Sequence, residues 1–196
     1  MRFCFSGKAA LRFKAEAAAQ GWLDHPFAVP REYRTWLARQ GSLTRRLRQC
    51  CRGFSVRLSR LGFMRPNRDE GMPLHLQPHE LAYVREVLLT CNGRPVVFAH
   101  SVAGAAALRG PWAGLTRLGC RPLGEALFSN PRVVRGRLQY RRVDARHPLL
   151  WQAVRAGVVP PRAVLWARRS LFSLQGHPLM VTEVFLPAIL RVKEAC

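Results

Sequence analysis

The chain has 196 residues, enough for one domain of ordinary size with an added terminal segment, and its 48% hydrophobic content is too high for disorder. No apolar run reaches the roughly 18–20 residues that span a bilayer. The start also lacks a compact apolar segment ahead of a small-residue cleavage site, so a soluble, cytoplasmic protein is expected. The formal net charge of +21 attracts phosphate backbones, an anionic membrane surface or a small polyanionic substrate, and cannot choose among them.

Residues 1–30 are weakly patterned and read as an N-terminal extension, beginning as a short amphipathic helix or a disordered arm. Residues 31–190 read as the folded domain and 191–196 as a tail. Tyr33, Trp36 and Leu37 stand at i, i+3 and i+4, predicting a short amphipathic helix over 31–39. Gly41 ends it, and Ser42 is placed to cap a second helix through Leu43, Leu47 and Cys50. Phe54 to Arg60 alternates strictly, which predicts a strand with Phe54, Val56 and Leu58 inward. Residues 64–80 carry three prolines and read as a connecting loop with no room for a core element.

Two β-rich runs then flank Asn92-Gly93, the dipeptide that best supplies both positive-φ residues of a type I′ turn. A two-residue loop makes Leu89 face Val96, Val87 face Phe98 and Arg85 face His100. Tyr83, Arg85, Val87 and Leu89 would then share a face with Val96, Phe98, His100 and Val102. An arginine and a histidine side by side on an apolar face need an anion, because an unpaired buried guanidinium costs several kcal/mol.

A helical turn is expected at Leu115–Leu118, a short segment at Glu125–Phe128 and a strand over 132–143. His147 to Gly157 reads as a helix, with proline in its first turn and glycine at its end. A second hairpin, 164–186, turns at Gln175-Gly176 and echoes the first: each places glycine, one residue, proline and then an apolar strand. With a two-residue loop Arg168 faces Glu183, and Glu183 sits among Leu179, Val181 and Phe185; a longer loop would shift that pairing. The sum is an α+β single domain, an antiparallel sheet of about six strands with helices over one face and an internal ligand site beneath them.

The six cysteines form no C-x-x-C, and no histidine lies at metal-ligand spacing from them. The adjacent Cys50-Cys51 suits neither a zinc site nor an ordinary disulfide, so reduced thiols packed as small core hydrophobes are expected. No metal-binding histidine motif, P-loop, G-x-G-x-x-G or G-x-S-x-G is present, and no cofactor or metal is expected. Nucleic-acid binding has only the charge behind it. Arg85 and Glu183 either pair with one another or with nearby charges as buried structural ions, or face each other across a pocket. Such a pocket suits a flat acid bearing a hydroxyl group, the arginine forking onto the carboxylate and the glutamate meeting the hydroxyl end.

The runs YVREVLLTCNGRPVVFAHSV, RPLGEALF and LWARRSLFSLQGHPLMVTEVFLP, with GSLTRRL and FSVRLSRLGF upstream, resemble the bacterial chorismate pyruvate-lyase family. The resemblance covers roughly residues 31–190. It implies a six-stranded sheet with helical flaps closing over the site, a monomer, and a lyase that turns chorismate into 4-hydroxybenzoate and pyruvate for ubiquinone synthesis. It places Arg85 at the ring carboxylate, Glu183 near the 4-hydroxyl, and Leu43 and Leu123 in the ligand cavity. His100 stands where the family commonly has arginine, so the second carboxylate of chorismate would be held by a protonated histidine or by a neighbour. Peripheral contact with an anionic membrane fits the basic exterior. The alternatives are a small-aromatic-acid sensing domain of similar fold, or a basic nucleic-acid-binding protein.

Overall fold

The computed structural model describes residues 21–193; the expected N-terminal helix or arm lies outside them. The helices are α1 (Arg31–Leu37), α2 (Leu43–Cys50), α3 (Ala105–Arg109), α4 (Leu123–Ser129) and α5 (Pro148–Arg155). The strands are β1 (Phe54–Met64), β2 (Ala82–Cys91), β3 (Arg94–Gly104), β4 (Val134–Arg135), β5 (Gln139–Val143), β6 (Leu165–Leu174) and β7 (His177–Phe185). They form one antiparallel sheet in the order β1-β2-β3-β7-β6-β4, with β5 also paired to β6. The fold is therefore α+β, with seven strands among the described residues.

Both hairpins turn where expected. Asn92 and Gly93 have φ of 50° and 78°, Gln175 and Gly176 of 51° and 80°, the double positive φ of a type I′ turn. Ser42 caps α2, its Oγ accepting from the Arg45 backbone N–H at 3.2 Å. The second hairpin keeps its register throughout, with Leu174 opposite His177 and Arg168 opposite Glu183.

The first hairpin does not. Cys91 pairs with Arg94 and Thr90 with Pro95, but a bulge follows, and Leu89 pairs with Val97, Val87 with Ala99 and Arg85 with Ser101. Pro95 has no N–H to give the ladder, and the strand absorbs one extra residue beside it. Because side chains alternate, that single residue moves Val96, Phe98, His100 and Val102 off the face of Arg85 and puts Val97, Ala99, Ser101 and Ala103 there instead. His100 stands opposite Glu86.

Both faces of the sheet are covered, where helices over one face were expected. Helices α1 and α2 pack Trp36, Leu37, Leu43 and Leu47 against Val87, Leu89, Val97, Ala99 and Phe185. Helices α3 and α4 add Leu108, Leu123 and Leu127 against Tyr83, Phe172 and Leu179 on the same face. On the opposite face α5 buries Leu149, Leu150 and Ala153 against Leu88, Phe98, Ala167 and Val184, joined by Trp22. The expected strand over 132–143 breaks into β4 and β5 at Gly136, which approaches the Leu171 carbonyl so closely that a Cβ would lie 3.1 Å from it.

The 65–81 connection has no helix or strand, as expected, yet it enters the core. Asn67, Asp69, Glu70 and Leu74 are buried. Glu70 meets His100 Nε2 at 3.1 Å, while Glu86 meets Nδ1 of the same ring at 3.2 Å. Asp69 accepts from Trp22 Nε1 at 2.6 Å and from Arg169 at 3.1 Å, and meets His147 at 3.4 Å. The loop is thus bolted to the back of the sheet by its own carboxylates. Burial pushes the Asp69 carboxyl up, but the hydrogen bond and charge of His147, with Arg169 and Trp22, outweigh it and hold the group far below the ordinary range.

One cysteine expectation is overturned. Cys51, just past α2, and Cys91, at the end of β2, are both buried and joined in a disulfide, with Cα atoms 5.3 Å apart. Residues 40 apart carry no local sequence signature of such pairing; only the docking of α2 over the hairpin end brings them together.

Candidate active site

The face of the sheet under α2 and α4 carries a cavity lined by Leu43 and Thr44 of α2, Arg85, Val87 and Leu89 of β2, and Ala99 and Ser101 of β3. Leu123, Gly124 and Leu127 of α4 close it from above, with Arg135, Ser170, Phe172, Val181 and Glu183 at the far side. Its walls follow from register. One row across the sheet reads Arg85, Ser101, Val181, Ser170, and the next reads Val87, Ala99, Glu183, Arg168. Arg85 and Glu183 are thus two strands and one row apart on one face, their Cα atoms about 12 Å from each other by ordinary sheet spacings.

Arg85 is 3% exposed. One of its terminal nitrogens donates to the carbonyls of Gly119 and Arg121, each at 2.8 Å. No carboxylate among the described residues pairs with it, and its buried Nε–H lacks a partner there. Burial pulls its pKa down from the ordinary arginine value, partly countered by Tyr83 and Cys120. A desolvated guanidinium with an unused donor is the environment in which a bound carboxylate stabilises most.

Glu183 does not pair with Arg85. Its Oε2 accepts from Arg168 Nε at 2.5 Å. Arg168, 1% exposed, also directs its Nη1 at the carbonyls of Trp36, Leu37 and Arg39 at the end of α1. That arginine therefore both terminates a helix and holds the glutamate in place. Of the structural pairing expected from sequence, Glu183 does pair with a nearby charge, Arg168, whereas Arg85 and Glu183 do not pair with one another.

Helices α2 and α4 meet above the cavity. A Cβ on Gly124 would fall 3.0 Å from Thr44 Oγ1 and 3.1 Å from Ser42 Oγ, so glycine is what lets the two helices touch. Arg48 and Glu125 pair across the same seam. The cavity is tight, about 40 Å³, with α2 and α4 directly over it.

Of the residues singled out from sequence, Arg85, Glu183, Leu43 and Leu123 all line this cavity. His100 does not: it is buried on the opposite face between two glutamates. Arg135, Thr44 and Ser170 line the cavity and escaped the sequence reading. Arg135 lay in a run of arginines where alternation could not tell which one turned inward.

A sequence model of the chorismate lyase family matches residues 22–194. The chain belongs to the chorismate lyase family. Proteins named probable chorismate pyruvate-lyase are correspondingly similar to this lyase. That of Thiobacillus denitrificans is 56% identical over 170 residues, 87% of this chain and 90% of that one. That of Methylobacillus flagellatus is 43% identical over 171 residues, covering 87% and 95%. That of Nitrosospira multiformis is 45% identical over 177 residues, covering 90% and 98%. The family match begins at residue 22, and in this lyase Trp22 is already 2% exposed and Val29 1% exposed. Among the described residues no helix is long and apolar enough to cross a membrane.

Proposed function

We propose that this lyase eliminates pyruvate from chorismate and leaves 4-hydroxybenzoate, the aromatic acid required for ubiquinone synthesis. The observation that carries the proposal is the buried Arg85 guanidinium, without a carboxylate partner among the described residues, on one wall of a cavity whose other side bears Glu183. Arg85 takes the ring carboxylate. Glu183, held by Arg168, accepts the hydrogen bond of the 4-hydroxyl, and Leu43 and Leu123 press on the ring.

In the reaction the C3–O bond breaks and its electron pair leaves with the enolpyruvyl group. The C4–H pair becomes the last ring double bond, and the proton finishes on the methylene carbon, giving pyruvate. Aromatisation makes the step strongly downhill, so orientation and charge placement suffice for catalysis. Glu183 is the proton-accepting group at the hydroxyl end, and its arginine partner keeps its carboxylate aimed. A cavity this small implies that the aromatic product leaves slowly, at the pace of helix parting. On the same reading the enzyme acts as a cytoplasmic monomer, with its basic exterior available to an anionic membrane.

The test is to incubate the purified protein with chorismate and follow 4-hydroxybenzoate by ultraviolet absorbance. The unaltered protein should turn over. Arg85→Ala should raise KM steeply or abolish turnover. Glu183→Gln, which keeps shape and loses the charge, should lower kcat by about 10²–10⁴-fold. No product from the unaltered protein, or full activity in both variants, would overturn the proposal.

A further inference from the structure

Chorismate carries two carboxylates, and Arg85 accounts for one. His100, the expected second cation, is on the other side of the sheet. The cavity offers a different one. Strand β4 pairs Arg135 with Phe172, which puts Arg135 on the same face as Ser170 and Arg168. Its Nε donates to Ser170 Oγ at 3.0 Å and its Nη1 to the Gly41 carbonyl at 3.2 Å. Its guanidinium carbon lies 5.4 Å from the ring centres of both Phe128 and Phe172. By register Arg135 belongs to the row of Phe172, Leu179, Ala103 and Tyr83, beside the row that runs from Arg85 to Ser170. Arg85 and Arg135 therefore stand on opposite sides of the cavity one row apart, with Glu183 in the row beyond that of Arg85.

No carboxylate among the described residues forms an ion pair with Arg135; the nearby Glu183 is taken by Arg168. Three guanidiniums, Arg85, Arg135 and Arg168, face a single carboxylate, Glu183, around this site. The surplus of two positive charges matches a dianion. A monoanion would leave one half-buried guanidinium unneutralised, a cost that burial makes large.

We propose that Arg135 binds the enolpyruvyl carboxylate of the substrate, so that two arginines clamp the two acid groups while Glu183 holds the hydroxyl between them. This rests on the chorismate reading given above. It has a consequence that separates Arg135 from Arg85: the aromatic product has lost the enolpyruvyl arm, so it needs Arg85 and not Arg135. Departure of pyruvate removes the Arg135 contact, and the site passes from a clamped dianion to a singly held monoanion.

The experiment compares kcat/KM for chorismate with the Kd for 4-hydroxybenzoate, by titration calorimetry, in the unaltered protein, Arg135→Gln, Arg135→Lys and Arg85→Gln. Arg135→Gln should lose about 10–100-fold in kcat/KM, the scale of one charge-assisted hydrogen-bonded contact, while binding the product within about twofold. Arg135→Lys keeps the charge without the fork and should recover part of the loss; Arg85→Gln should lose substrate and product together. An Arg135→Gln protein with unchanged kcat/KM, or both Arg135 variants losing substrate and product affinity equally, would assign Arg135 to scaffolding and overturn the proposal. Lack of turnover by the unaltered protein would instead bring down the underlying reading.

Discussion

At the residue scale, the chemistry of this lyase is divided between two faces of one sheet. On the cavity face a guanidinium is left without a carboxylate, which is how a protein prepares to receive one. On the opposite face the buried charges among the described residues are paired, Arg169 with Asp69 and His100 with Glu70 and Glu86, and His100 is the centre of that arrangement. Burial opposes its protonation, but Glu70 and Glu86 overcome this and raise its pKa to about 10. The sign follows directly. The folded chain holds this proton and the unfolded chain, at about pH 6.5, begins to lose it. The stabilisation is therefore complete below about pH 6.5 and drains away as the pH climbs toward 10, by up to about 1.4 kcal/mol per unit. His100→Leu would leave two buried carboxylates facing each other, and we expect a loss of about 3–5 kcal/mol in urea unfolding at pH 7. The variant should also lack the decline between pH 7 and 9.5 that the parent shows. A parent whose stability stays level across that range would contradict the assignment.

At the scale of elements, the site is made by what α2 and α4 do above the sheet. Helix α2 is held at its start by the Ser42 cap and just beyond its end by the Cys51–Cys91 bridge. The bridge closes a loop of some 40 residues, for which roughly 2–4 kcal/mol of stabilisation is typical. Thermal unfolding with and without reductant should therefore differ by several degrees, and Cys51→Ser should match the reduced parent in either condition. Identical melting with and without reductant would show the two thiols unlinked in solution. Leu43 and Thr44 sit on the first turn of this helix, so loosening its anchored end also loosens the cavity roof.

At the scale of the molecule, the charge of +21 is spread over loops, helix ends and the edge strand, as at Arg57, Arg60, Arg94, Arg117 and Arg132, all exposed. Such a field draws a dianion toward the protein before any contact forms. Raising the salt from about 20 to about 300 mM shortens the screening length from roughly 20 Å to roughly 6 Å. For this lyase acting on chorismate we expect kcat/KM to fall several-fold over that range while kcat holds steady. A kcat/KM indifferent to salt would mean the outer arginines take no part in capture.

How much of this could be read from the chain alone follows from the range of the forces involved. Turn chemistry at Asn92-Gly93 and Gln175-Gly176, the Ser42 cap and the amphipathic helices are settled by neighbours a few residues away, and all were legible. So was the placing of Arg85 and Glu183 within apolar stretches of their strands, because a two-residue alternation exposes any charge that breaks it. The bulge beside Pro95 was not legible, since the residue that absorbs a missing ladder bond is chosen by both strands together, and that one residue sent His100 to the far face. The link between Cys51 and Cys91, the carboxylates that the 65–81 loop brings to the back of the sheet, and the turning inward of Arg135 all depend on segments distant in sequence coming to rest against one another. Local pattern names the groups able to do chemistry; packing decides which of them meet.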